Sequence, residues 1–155
     1  MERSKFANTR MDKEIAKLVN ESDHKTLTIW AADCAERVLP YFERNFPEDN
    51  RPREAINAGR AWVKGKLRMV DARKAAFAAH AAARDTGEVV TARSAARSAG
   101  HAAATAHVPS HAIYAAAYAI TAICDATNLD DVAMAKEREW QHQHLLKLVN
   151  GAMGS

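Results

Sequence analysis

The sequence predicts an all-α protein: a single compact bundle of about six to seven helices with Ala-rich helices at its centre. Three observations carry that expectation. Residues 72–126 are dominated by alanine, which has the best helix propensity and no side-chain entropy to lose. Elsewhere apolar residues recur at i, i+3, i+4 and i+7, the period of a helix with one face in a core. Glycine (6) and proline (4) are scarce, which disfavours turn-rich β structure. A bare alanine helix buries little apolar area, so larger residues on other helices must supply most of the hydrophobic free energy.

The elements follow in order. Residues 1–10 are polar and expected to fray. Asp12 is placed to cap a short helix carrying Ile15, Leu18 and Val19 to about Asn20, and residues 21–26 form a polar connection. From about Thr26 to Asn45 runs a strong helix. Leu27, Trp30, Ala31, Cys34, Val38, Tyr41 and Phe42 make its main stripe, and Ile29, Ala32, Leu39 and Phe46 a second one beside it. So wide an apolar arc marks a central helix. Asp33 and Arg37, four apart, are expected to pair on its polar side. Pro40 should kink or break it. Phe46–Asn50 is a loop with Asn50 as N-cap, and Pro52 opens a helix over residues 51–64. Ala55, Ile56, Gly59, Trp62 and Val63 share one face there; Arg53, Asn57, Arg60 and Lys64 fall opposite, and Gly65 is the stop. The Ala-rich helices cover residues 69–85, 88–107 and 109–126, punctuated by Thr86-Gly87 and Pro109. Asp130 or Asp131 then caps a last helix to about Val149, anchored by Trp140, Leu145, Leu146, Leu148 and Val149. The closing GAMGS resembles a cloning-derived tail and is set aside.

The 155 residues suit one domain that buries roughly two thirds of its unfolded surface. Net charge is +3 with no run of five like charges, which does not favour nucleic acid as a partner. No stretch is long and apolar enough to span a bilayer and no leader is visible, so a cytoplasmic protein with no membrane partner is expected. Cys34 and Cys124 lie in apolar helical patterns and read as buried free thiols.

The histidines raise the chemical question. His101 and His107 are six apart, about 120° around a helix; His107 and His111 are four apart but straddle Pro109; His142 and His144 point to different faces. None is a helix-borne metal pair, and no metal or cofactor is expected. Cys34 sits in a packing stripe, not beside a base, and no phosphate loop or nucleophile elbow is present, so no catalytic residue is assigned. Polar rows do stand out: Arg93, Arg97, His101 and Thr105 at i+4 steps; Arg73, Phe77, His80 and Arg84; and His111, Tyr114 and Tyr118. Each reads either as a solvated or interhelical face or as a recognition surface, since Arg and Tyr are enriched at binding hot spots. A weak repeat aligns Ala72–Ala83 with Ala92–Ala104, offset by Gly100, and would put His80 and His101 at comparable positions on adjacent helices.

Four segments carry a resemblance: WAADCAERVLPYFE (Trp30–Glu43), FPEDNRPREAINAGRAWVKG (Phe46–Gly65), AGHAAATAHVPSHAIYAAAYA (Ala99–Ala119) and EREWQHQHL (Glu137–Leu145). In order and spacing the chain resembles the alpha-helical putative immunity protein family of bacterial polymorphic toxin systems. The family's local motifs include Asp33, Arg37, His80, His101 and His107. Its usual C-terminal leucine-proline-glutamate step is replaced here by LLKLVNGAMGS. The resemblance covers residues 27–149, the expected immunity-protein-like helical domain; the polar segment with a short helix over residues 1–26 lies outside it, and residues 150–155 read as a cloning-derived remainder. It brings no catalytic residue. It implies a non-enzymatic protein that binds and neutralises a protein toxin stoichiometrically, and a net charge of +3 points away from a nuclease toxin. The alternative is a self-resistance protein that binds a small molecule, an antibiotic, in a pocket between helices, and a third reading is an enzyme with that same pocket as its active site. The residues expected to make the contacts in either case are Trp30, Asp33, Arg37, His80, Arg84, His101, His107 and Tyr114. The pocket reading requires Trp30, Asp33, Arg37, His80, His101 and His107 to converge.

Overall fold

A computed structural model of the chain describes residues 10–154, so the expectation for residues 1–9 lies outside the described residues. Seven helices and no strand occur among those residues: α1 Arg10–Glu21, α2 His24–Glu43, α3 Arg51–Val63, α4 Met69–Arg84, α5 Val90–Ala104, α6 His111–Ala126 and α7 Asp131–Gly154. None is long and apolar enough to cross a membrane.

Local chemistry explains most boundaries. The carboxylate of Asp23 accepts the Thr26 amide at 2.7 Å and starts α2. Helix α3 stops at a Schellman turn: Gly65 adopts φ +72°, its amide donates to Trp62 O, and the Lys66 amide donates to Ala61 O. Asp130 caps α7, its Oδ1 accepting the amides of Val132 and Ala133 at 3.0 and 3.1 Å. One expectation fails. Asn50 has helical backbone angles and its side chain caps nothing; the neighbouring Asp49 accepts the Arg51 amide instead, because the Arg51 guanidinium also holds that carboxylate in place. Pro40 does not break α2, which continues to Glu43. It lies in the last turn on an exposed position, where a lost amide bond costs least. Helix α7 also runs past Val149, through the GAMG of the supposed tail.

Helix α2 is central, as its two apolar stripes require: it packs against α3, α5, α6 and α7. Helix α5 is the second hub, packed on α2, α3, α4 and α6. The large, fully buried side chains come from α2, α3 and α7: Trp30, Leu39, Phe42, Ile56 and Leu145. Between α4, α5 and α6 the interface is almost wholly alanine, with Ala79, Ala83, Ala95, Ala96, Ala99, Ala103, Ala112, Ala115 and Ala119 out of contact with water. Side chains that small let the helices approach closely enough for the Ser98 hydroxyl to donate across to Ala115 O at 2.7 Å. Closely packed helices in turn force the larger polar residues at the rim of each alanine stripe against one another. Cys34 and Cys124 are buried free thiols, as expected, and burial pushes the Cys34 thiol well above its ordinary range, so it is inert.

Candidate functional site

The residues expected to bind are not gathered in one place. The structure divides six of them between two clusters and leaves two apart, Trp30 and His107.

The first cluster lies where α2 meets α3 and α7. Asp33 and Arg37 do not pair with each other, contrary to the four-residue spacing. Asp33 accepts from Arg60 Nη2 at 2.8 Å and faces His144 Nε2 at 2.7 Å. Arg37 donates twice to Glu137, at 2.7 and 3.0 Å, and stacks its guanidinium 4.0 Å from the centre of the Trp140 ring. The cause is tertiary. Glu137 is buried, and a buried carboxylate must find a cation, so it takes the one its neighbour on α2 offers. The bidentate bond in turn raises the pKa of Arg37. Arg60, placed by its helix opposite the apolar face of α3, spans Asp33 and Glu36, and Arg53 bridges to Glu43 at 3.0 Å. Burial alone would lower the pKa of Arg60, but its hydrogen bonds to Asp33 and Glu36 outweigh burial and raise it. Asp33, Glu36, Arg37, Arg60, Trp140 and His144 together line an open groove of about 350 Å³. Trp30 is not on it. Its ring is wholly buried and its Nε1 donates to Gln141 O at 2.9 Å.

The second cluster lies across α4, α5 and α6, where the three polar rows meet. The repeat-related rings of His80 and His101 stand edge to face, with centroids 4.8 Å apart. His101 also stacks on His111 at 5.1 Å and on Tyr118 at 5.3 Å, and lies 5.4 Å from Tyr114. Gly100 makes this possible: a β-carbon there would fall 2.7 Å from His80 Cε1, so only glycine lets the ring lie on the α5 backbone. The extra residue that offsets the repeat is thus the one that admits the histidine.

Hydrogen bonding sets the protonation of these rings. Arginine has no acceptor, so in the 3.1 Å contact between Arg97 Nη1 and His80 Nδ1 the arginine donates. His80 therefore keeps Nδ1 unprotonated and is neutral. His101 Nδ1 and His111 Nδ1 are 2.9 Å apart, which requires one of them to donate to the other. Burial, then the charges of Arg97 and Arg84, hold the His80 pKa down to about 4; burial, then His80 and His111, do the same for His101, also to about 4. Burial and His107 lower His111.

Charge separates this cluster from the first. Among the described residues the arginines of α2, α3 and α7 each meet a carboxylate, whereas Arg73, Arg84, Arg93 and Arg97 meet none. No acidic residue occurs in Ala72–Arg84 or Val89–Cys124. Two aromatic rings stand exposed nearby, Phe77 (58% exposed) with Arg73 over its face, and Tyr114 (52%). His107 lies apart, exposed on the connection after α5 with Nδ1 3.2 Å from Met69 Sδ. Thr105, at the end of the α5 row, turns inward: it is wholly buried, and its carbonyl lies 2.6 Å from His24 Nε2.

Sequence reasoning did not single out Glu137, Gln141, His144 or His24. A signal existed for two of them. Met134, Glu137, Gln141 and Leu145 fall at i, i+3, i+7 and i+11, so Glu137 and Gln141 occupy core positions of α7 between two apolar residues.

A search of curated proteins and one of solved structures each match nothing. The profile of one family, described as Imm-5 like putative immunity protein, matches residues 17–148. That span begins within α1, ends within α7 and takes in both clusters, and the chain belongs to this family.

Proposed function

We propose that the chain is a bacterial immunity protein that binds a protein toxin stoichiometrically and neutralises it in the cytoplasm of the cell that makes both. The contact face is the α4–α5–α6 side. One observation supports the choice of face: it combines exposed Phe77 and Tyr114 with four arginines that no carboxylate among the described residues engages, the composition of an interface hot spot. Of the residues singled out from the sequence, His80, Arg84, His101 and Tyr114 belong to this face, and His107 extends it. A complex of useful lifetime buries roughly 1,200 Å² or more.

A second reading rests on the groove beside α2. Asp33, Arg37, Arg60 and His144 make it a polar cleft between helices, of a size that suits a small molecule such as an antibiotic. Its charges already satisfy one another, so a ligand there must displace internal ion pairs. Affinity capture from the producing cell, read by mass spectrometry for proteins and small molecules, decides between the two. A captured protein whose toxicity is suppressed by co-expression at one-to-one stoichiometry supports the first reading. Recovery of a small compound alone overturns it.

A further inference from the structure

Within the toxin-binding reading, we infer that the α4–α5–α6 face receives an acidic segment of the partner, one carboxylate of which seats against the His101–His111 pair while that pair takes up one proton. Among the described residues the face offers no carboxylate of its own to the rings. The charged and titratable groups around them are His80 and Arg84 from α4, Arg97 from α5, Tyr114 and Tyr118 from α6, and His107 from the connection. The nearest acids at the ends of α4 are occupied, Asp71 by Arg68 and Asp85 by Arg51, and Asp125, at the far end of α6, accepts from Ser94. Charge complementarity therefore selects an anionic occupant.

The hydrogen bonds show where the proton goes. His80 cannot accept one on Nδ1 without losing the Arg97 bond. The His101–His111 pair can. Of its two rings, one donates through Nδ1–H and has a free lone pair on Nε2; the other accepts on Nδ1 and already carries Nε2–H. A proton taken from solvent by the free Nε2 makes an imidazolium and leaves the Nδ1–H···Nδ1 bond intact. Alone, that charge is disfavoured by partial burial, then by the neighbouring histidines and by Arg97. A carboxylate beside it reverses the balance, because an opposite charge within about 4–6 Å favours the charged form. Binding and protonation are then linked, and affinity rises as pH falls toward 6.

The test uses a fluorescein-labelled hexaglutamate peptide, with a hexaglutamine peptide as control, on the full chain at low salt. The glutamate side chains stay ionised over the range used. The expected result is binding that is about tenfold tighter at pH 6 than at pH 8, with NMR shifts at the Cε1–H of His101 and His111. His111→Gln abolishes the pH dependence while binding persists. The exposed Arg84→Gln weakens binding at both pH values, and Arg53→Gln, on the opposite network, changes nothing. Equal binding of the two peptides, no histidine shifts, or pH-independent affinity overturns the inference. Toxin capture is a separate measurement: if it succeeds while the peptide fails, the partner is held by other chemistry, and if it fails while the peptide binds, the anion site exists without a toxin to fill it.

Discussion

Both clusters are built from arginine, histidine and aromatic rings, yet they are wired in opposite ways. Within α2, α3 and α7 each arginine ends on a carboxylate of another element, and His144 faces Asp33. Within α4 and α5 the arginines end on a ring nitrogen, a ring face, a backbone carbonyl or solvent, and the histidines of α4, α5 and α6 meet one another. The first arrangement is what a fold needs to orient helices. Its pairs are partly exposed, so each contributes at most about 1 kcal/mol, but together they fix which face of α3 and α7 meets α2. The second brings like charges together without compensation, which costs stability. Local rules of this kind are broken where a protein keeps a surface for something else. The difference teaches that two clusters of similar composition can be wired differently, and on the proposed reading the unpaired cations, not charge as such, mark the binding face.

That contrast can be tested from its largest expected effect downward. Gln141 is fully buried behind the first cluster, donating to Ala116 O at 3.0 Å and accepting from Arg138 at 2.7 Å. Gln141→Ala should lower unfolding free energy by about 2–4 kcal/mol, from the cavity and the bonds lost together. Urea denaturation measures it, and the folded fraction should keep its toxin affinity. Phe77→Ala and Tyr114→Ala should do the reverse. Stability stays within about 0.5 kcal/mol, because both rings are exposed, while toxin affinity drops by about 2 kcal/mol, roughly thirtyfold. Isothermal titration against the captured toxin checks this, and an unchanged Kd would remove the face from the interface.

The pH dependence of stability separates the clusters next. His80 and His101 have pKa values near 4 in the fold against about 6.5 unfolded, so the unfolded chain binds more protons between those limits. Stability is then full above pH 6.5 and falls as the pH drops toward 4, by about 1–2 kcal/mol per ring once solvent access is allowed for. Replacing either ring by a non-titrating residue should flatten the curve. Asp23, lowered by the Thr26 amide, and Asp49, lowered by Arg51, act in the other window: their contribution is present above about 3.8 and is lost only as pH falls below it. A profile that is flat between pH 6.5 and 4.5 would contradict the neutral-ring assignment. The smallest effect is at Gly100. Gly100→Ala gains about 1 kcal/mol of helix propensity but drives a β-carbon into the His80 ring, for a net loss of about 1 kcal/mol. By NMR the displaced His80 should titrate nearer its ordinary value.

What the sequence determined by itself was local and periodic. The helices, their turns at Gly65 and Thr86-Gly87, the cap before α7, the apolar stripes of α2 and the buried free thiols all follow from rules that act within a few residues. Even the rows His111–Tyr114–Tyr118 and Arg93–Arg97–His101 were legible as faces. Which face meets which was not. Helical spacing says that Asp33 and Arg37 lie on one side of α2, but the choice of Arg60 and Glu137 as their partners was made by α3 and α7, residues 27 and 100 positions away. Spacing set His107 and His111 on either side of Pro109 and named no partner for His111, whose Nδ1 lies against that of His101, ten residues back. Only the tertiary structure decided these pairings, because they depend on the distance between packed helices. Here alanine sets that distance, and small side chains at the centre of an interface bring together whatever polar groups stand at its edge.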